Sequence, residues 1–138
     1  MVIPVINEGD RLISLLDRMV ALGIPQQFDL IVVDGGSTDG SVELEQLHSR
    51  GVNTLIIKAC EGALGTQLQC AYDFALTRPY RGVITIDGNN KDNPSGIFRL
   101  RTALESGVDF AQGSRFIQNG EHANTPLLRL LAVRLIHS

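Results

Sequence analysis

The sequence predicts an α/β fold, a three-layer sandwich with a mostly parallel central sheet covered by helices on both faces. Three observations carry this. Short apolar, β-branched runs alternate regularly with stretches of helical spacing along the 138 residues. One run, Leu30-Ile31-Val32-Val33, holds no polar residue, as expected of a strand buried on both faces. Polar, glycine-rich and acidic turns gather where the runs end.

The elements follow in order. Val2 to Ile6 reads as a first strand, ending in the loop Asn7-Glu8-Gly9-Asp10. Asp10 is placed to cap a helix carrying Leu12, Ile13, Leu15, Leu16, Met19, Val20 and Leu22 at helical spacing, stopped by Gly23. Leu30 to Val33 is the second strand, followed by the turn 34–40. Ser41 is expected to cap a second helix reaching about Arg50. Val52 to Ile57 is the third strand, and Thr66 to Thr77 the third helix. Gly82 to Ile86 is expected as a fourth strand ending at Asp87, and Ser95 as the cap of a helix to Glu105. Val108 to Ala111 is expected as a fifth strand, and Leu127 to Ile136 as a final amphipathic helix. The chain reads as one domain, 1–138, and both ends read as those of a piece of a longer protein.

Composition narrows the function. Apolar residues make up 43% and charged residues 20%, an ordinary globular mix. The net charge of −3 argues against a general nucleic-acid-binding surface. No apolar run is long enough to span a bilayer, and the N-terminus has no secretory-signal pattern. The cytoplasm is the expected location, at the inner face of a membrane where the last apolar helix meets one. That helix also offers a surface for packing within the core or against a second copy of the chain. Cys60 and Cys70 lack zinc-ligand or CxxC spacing and read as reduced thiols.

In open α/β sheets, ligands bind beyond the carboxyl ends of the strands. Four loops qualify, carrying Asn7-Glu8, Asp34 to Asp39, Asp87 to Asp92, and Gly113 to Arg115. Asp34 can accept hydrogen bonds from a base or a ribose; an Asx-turn role serves it equally well. Asp87 and Asn89 offer hard oxygen ligands to Mg²⁺ or Mn²⁺, and Gly88 would let a diphosphate approach the backbone. Lys91 can supply a point charge to phosphate, and Arg115 a bidentate grip. Arg129 and Arg134 either extend an anion site or are solvated helix charges.

These residues resemble a known pattern, that of the family 2 glycosyltransferases with the GT-A fold, in their dolichyl-phosphate-mannose-synthase-like and bactoprenol-glucosyltransferase-like branch. Ile3-Pro4-Val5-Ile6-Asn7-Glu8 is similar to that family's IPxYNE opening, and Ile31 to Ser41 to its VVDDGSxDGT stretch. Asp87-Gly88-Asn89 stands at its DxD motif and Gly113-Ser114-Arg115 at its GSR motif. The resemblance implies a GT-A, Rossmann-like sandwich. It implies nucleotide-sugar contacts from Pro4, Ile6, Glu8, Asp34, Asp87, Gly88, Lys91, Arg115 and Arg129, and metal contacts from Asp87 and Asn89.

The family's chain continues well past this end, so this piece is expected to bind a nucleotide even where it fails to turn over, and three departures stand out within it. Ile6 replaces the usual Tyr. Gly35 replaces the second Asp of the DD pair, which usually contacts the base. Asn89 with Lys91, the latter at a metal-ligating Gln position, removes a negative charge and adds a positive one. The expected Mg²⁺ or Mn²⁺ site is therefore weakened, with Lys91 partly replacing the ion. The expected activity is inverting transfer of a sugar from a UDP- or GDP-sugar to a polyprenyl phosphate or a saccharide. Two alternatives stand beside it. One is a degenerate transferase domain that binds nucleotide or a partner without catalysis. The other is an S-adenosylmethionine methyltransferase, suggested by the Val33-Asp34-Gly35-Gly36 turn.

Overall fold

A computed structural model describes residues 1–59 and 61–113. Strands β1 (Val2–Val5), β2 (Leu30–Asp34) and β3 (Val52–Ile57) alternate with helices α1 (Asp10–Ala21), α2 (Leu44–Ser49), α3 (Leu64–Leu76) and α4 (Gly96–Glu105). The strands form one parallel sheet in the order β1-β2-β3. Every residue of β1 and β2 is buried, and the reason is visible in how their side chains alternate. Ile3, Val5, Leu30 and Val32 point into a core with Leu12, Leu15, Leu16 and Met19 of α1, Leu47 of α2 and Ile97 of α4. Val2, Ile31 and Val33 point the other way, onto Ala71 of α3. The three-layer, mostly parallel arrangement expected from the sequence is the one observed.

Residues 84–88 extend this sheet on the free side of β1. Val2 N–H donates to the Ile84 carbonyl (2.8 Å), Ile86 N–H to Val2 (3.1 Å) and Gly88 N–H to Pro4 (3.2 Å). The fourth strand expected over 82–86 is thus reduced to a single parallel bridge, Val2 with Thr85, though the segment lies where that strand would lie. The chain order across the sheet becomes third, second, first, fourth. It reverses between β1 and 84–88, and in such sheets the reversal opens the crevice where ligands bind.

Other expectations need correction. Residues 108–111 form no strand; Val108 and Phe110 are exposed, with no hydrogen-bonded neighbour strand beside them among the described residues. β1 stops at Val5, because Asn7 turns into the left-handed region (φ 51°) and takes Ile6 out of the sheet. Gly9, not Asp10, holds the cap position of α1, with no side-chain cap bond. Of the apolar residues expected on this helix, Val20 is exposed, and Leu22 is exposed just past its end. Ser41 caps nothing: α2 starts at Leu44, after Glu43, because the Ser41 hydroxyl is engaged by Asp39. α3 begins at Leu64, two residues before the expected Thr66. Ser95 does stand at the cap of α4, but its side chain makes no cap bond there. One irregularity has a clear cause. The β2–β3 register skips Asn53, whose side-chain oxygen accepts the Leu30 N–H at 2.7 Å in place of a ladder bond.

Candidate active site at the carboxyl ends of the strands

Asn7 joins the first two loops. Its N–H donates to Ser37 Oγ (2.9 Å), and its side-chain oxygen accepts the Thr38 N–H (2.8 Å). The left-handed backbone that Asn tolerates makes this double tie feasible. Asp34, 3% exposed at the end of β2, accepts the Ser37 N–H with both oxygens (2.9 and 3.2 Å). The Asx-turn role is therefore real, and it leaves lone pairs on the carboxylate for a ligand. Asp39 closes the loop, its Oδ1 accepting the Ser41 hydroxyl (2.6 Å) and N–H (3.0 Å). The Ser41 hydroxyl first, then the Ser41 and Gly9 N–H groups, hold the Asp39 carboxyl below the usual carboxylate range.

Glu8 sits between these loops and the start of α1. Arg11 Nη2 lies 3.0 Å from Glu8 Oε2, an ion pair without the angle of a hydrogen bond. Arg11 instead directs its hydrogen bonds at the Glu8 and Asn7 carbonyls (3.3 Å each). Among the described residues, Glu8 Oε2 is the one buried side-chain polar atom with no hydrogen-bond partner. The Arg11 guanidinium offsets the charge of this oxygen, so Glu8 is held at the mouth of α1 by an ion pair rather than left bare.

Across the crevice, Asp87 and Asn89 come together as expected, but as a hydrogen-bonded pair. Asn89 Nδ2 donates to Asp87 Oδ2 (2.7 Å), and Asn89 Oδ1 accepts the Lys91 N–H (3.0 Å). Turning the amide over would set oxygen against oxygen and N–H against N–H, so both contacts fix its orientation. What faces Asp87 is thus a donor, not a metal ligand. No group of three His, Cys, Asp or Glu side chains that could hold a metal occurs among the described residues. This donor set does not fit a divalent ion. The Lys91 side chain is exposed and forms no ion pair among the described residues.

Gly88 is buried for a reason the motif did not suggest. A Cβ there would stand 2.6 Å from Val5 Cγ1 and 3.0 Å from the Pro4 carbonyl. The glycine lets the Asp87–Asn89 turn lie flat on β1. Pro4 is buried in β1, and its carbonyl anchors Gly88; Ile6 is 53% exposed beyond the strand. Arg18 of α1, which sequence reasoning passed over, donates to Asn90 Oδ1 at 2.7 Å and braces the loop from below. Asn90 is itself left-handed (φ 58°). Gln67 of α3 was also missed. It is 4% exposed and donates to the Val5 and Val33 carbonyls (2.9 and 3.1 Å). A signal existed, since Gln67 lies four residues before Ala71 and eight before Ala75 on the buried stripe of that helix. Ser114, Arg115, Arg129, Arg134 and Cys60 lie outside the described residues; Cys70 is a half-buried free thiol.

Comparison with protein families matches residues 1–135 to "Glycosyl transferase family 2". The chain belongs to glycosyl transferase family 2. Among curated relatives of this family 2 chain, a polyprenol monophosphomannose synthase of Mycolicibacterium smegmatis is 30% identical over 133 residues. The match covers 94% of this chain and 49% of that protein. A dolichol-phosphate mannosyltransferase of Pyrococcus furiosus is 27% identical, covering 94% of this chain and 36% of its own. An undecaprenyl-phosphate 4-deoxy-4-formamido-L-arabinose transferase of Edwardsiella ictaluri is 32% identical, covering 78% and 34%. The chain thus spans about half the length, or less, of these relatives. Membership of family 2 displaces the methyltransferase alternative. No helix among the described residues is long and apolar enough to cross a membrane.

Proposed function

We propose that this chain binds the donor of an inverting sugar transfer, a UDP- or GDP-sugar, and passes the sugar to a polyprenyl phosphate. The observation that carries the reading is the crevice between β1 and residues 84–88. The Glu8 carboxylate, ion-paired to Arg11, lies on one side, and the Asp87–Lys91 turn on the other. The acceptor-rich side, with Glu8 and Asp34, suits the hydroxyl and N–H donors of a nucleoside. Lys91 supplies positive charge for the diphosphate. The names of the relatives support a polyprenyl phosphate acceptor over a saccharide.

In the transfer, an oxygen of the acceptor phosphate forms a bond to the anomeric carbon as the bond to the donor's diphosphate oxygen breaks. The nucleoside diphosphate leaves with the electron pair, and the configuration inverts. A phosphate acceptor is already an anion at neutral pH, so no general base is needed. The leaving diphosphate needs charge stabilisation, which falls to Lys91 and, by the family resemblance, Arg115 and Arg129.

The test is transfer of labelled sugar from UDP- and GDP-sugars to a short polyprenyl phosphate. Transfer from one donor class, lost in Lys91→Ala with the fold intact, is the expected result. Nucleotide binding without transfer to any acceptor would favour the non-catalytic alternative, which the missing carboxylates at 35 and 89 suggest. Failure to bind either nucleoside diphosphate would overturn the proposal.

A further inference from the structure

The buried amide of Gln67 is oriented by the sheet. Nε2 donates to the carbonyls of Val5 and Val33, so it links the carboxyl ends of β1 and β2 and has no further hydrogen to give. Oε1 is consequently turned away from those carbonyls and has no hydrogen-bond partner among the described residues. It is not among the fully buried orphan atoms, so the small exposure left to Gln67 includes this oxygen. Its neighbour is Gly35, the first residue beyond β2. A Cβ at position 35 would stand 2.8 Å from Nε2, 3.0 Å from Cδ and 3.2 Å from Oε1. Gln67 therefore fills the space where any side chain at 35 would begin. The glycine and the glutamine are a matched pair.

Charge decides which part of a ligand comes here. Asp34 makes this end of the crevice acceptor-rich, with Glu8 beside it already paired to Arg11, while the exposed ammonium of Lys91 lies in the loop leaving 84–88, on the far side of β1. A diphosphate is repelled by the carboxylates and drawn to the lysine, so the base is left at the Gln67 end. We propose that Gln67 reads the donor's base, its Oε1 accepting the ring N–H that uracil and guanine share beside a carbonyl. Cytosine and adenine carry a bare ring nitrogen at that place, an acceptor facing an acceptor. This inference rests on the donor-nucleotide reading of the crevice and names the residue that sets its specificity.

The experiment measures calorimetric affinities for UDP, CDP, GDP and ADP on the chain, Gln67→Met and the double variant Gly35→Asp/Gln67→Ala. Met keeps the volume of the side chain without its hydrogen-bonding groups, and thermal melting reports the fold separately. The chain should prefer UDP over CDP, or GDP over ADP, by at least about three- to tenfold, the worth of one neutral hydrogen bond. In a folded Gln67→Met that ratio should fall towards one. Inorganic pyrophosphate, which has no base, should bind the variant as it binds the parent; a purely structural role would weaken both ligands together. Gly35→Asp alone should be destabilised by the clash; in the double variant, with the space vacated, stability should return, and the new carboxylate, an acceptor in place of Oε1, should restore the preference for a base with a ring N–H. An unchanged ratio in a folded Gln67→Met overturns this inference and leaves the nucleotide site standing. No binding of any of the four diphosphates to the parent chain overturns both.

Discussion

Gly88→Ala should separate the fit of the Asp87–Asn89 turn from its chemistry. The new Cβ would lie 2.6 Å from Val5 Cγ1 and 3.0 Å from the Pro4 carbonyl oxygen. Val5 is 2% exposed and packed in the main core, so its methyl has nowhere to go, and the carbonyl belongs to β1, which is paired on both sides. Overpacking of this kind costs about 1–3 kcal/mol. The turn can escape by lifting off β1, which stretches the 3.2 Å bond from Gly88 N–H to Pro4 and adds about 1 kcal/mol. The sum is roughly 2–4 kcal/mol, or roughly 6–16 °C in Tm for a domain of this size. The assay is thermal unfolding by circular dichroism, with Gly96→Ala as control. At Gly96 a Cβ meets nothing within 4 Å, and alanine at the first residue of α4 should be neutral or slightly stabilising. A Gly88→Ala melting point within about 1 °C of the parent would refute the argument that backbone contact with β1 requires this glycine.

Three other predictions follow from the loops. The Asp39 carboxyl is held low by Ser41 and Gly9, so its folded form favours the charged state. Its contribution is fully present above the ordinary carboxylate value of about 3.9 and is lost as the pH falls through the lower folded value. The Tm gap between the parent and Asp39→Asn should therefore be flat from pH 7 to 5 and close only below about pH 4. Arg18→Ala removes the 2.7 Å brace on Asn90. Because the pair is exposed, global stability should fall by no more than about 1 kcal/mol, while amide hydrogen exchange quickens across residues 87–92; equal exchange would refute the bracing role. Replacing Mn²⁺ with EDTA should change nucleoside diphosphate affinity less than Lys91→Ala does. The reverse order, read by calorimetry, would mean that Asn89 turns its oxygen to a metal after all.

The layers were legible in the sequence; several hydrogen-bonding roles were not. Leu30 to Val33 announces a doubly buried strand because nothing polar interrupts it, and Leu12, Leu15, Leu16 and Met19 announce the buried stripe of α1 by spacing alone. Three of the four loops picked out by the strand-end rule do lie together at the carboxyl ends of β1, β2 and 84–88. What failed were assignments resting on one side chain with two local choices. Ser41 and Asp10 both suit a helix cap, but Asp39 engages Ser41 and the positive φ of Gly9 starts α1. Residues 82–86 and 108–111 share a strand-like composition, yet the first pairs with β1 only through a single bridge and the second forms no strand, a difference of partners that composition does not report. The orientation of the Asn89 amide depends on two partners at once, Asp87 and Lys91 N–H, and the spacing of the motif reveals neither bond. Gln67 owes its meaning to Gly35, thirty-two positions away, and only the packing of α3 on the ends of β1 and β2 brings them together.

The most direct measurement is a calorimetric titration of the chain with UDP and with GDP, repeated on Glu8→Ala and Asp87→Ala. These two carboxylates stand on opposite sides of the crevice between β1 and residues 84–88. The account predicts one-to-one binding of at least one diphosphate, weakened by both substitutions in proteins that melt as the parent does. Binding that neither substitution alters would place the nucleotide elsewhere on the molecule, and no binding at all would contradict the site.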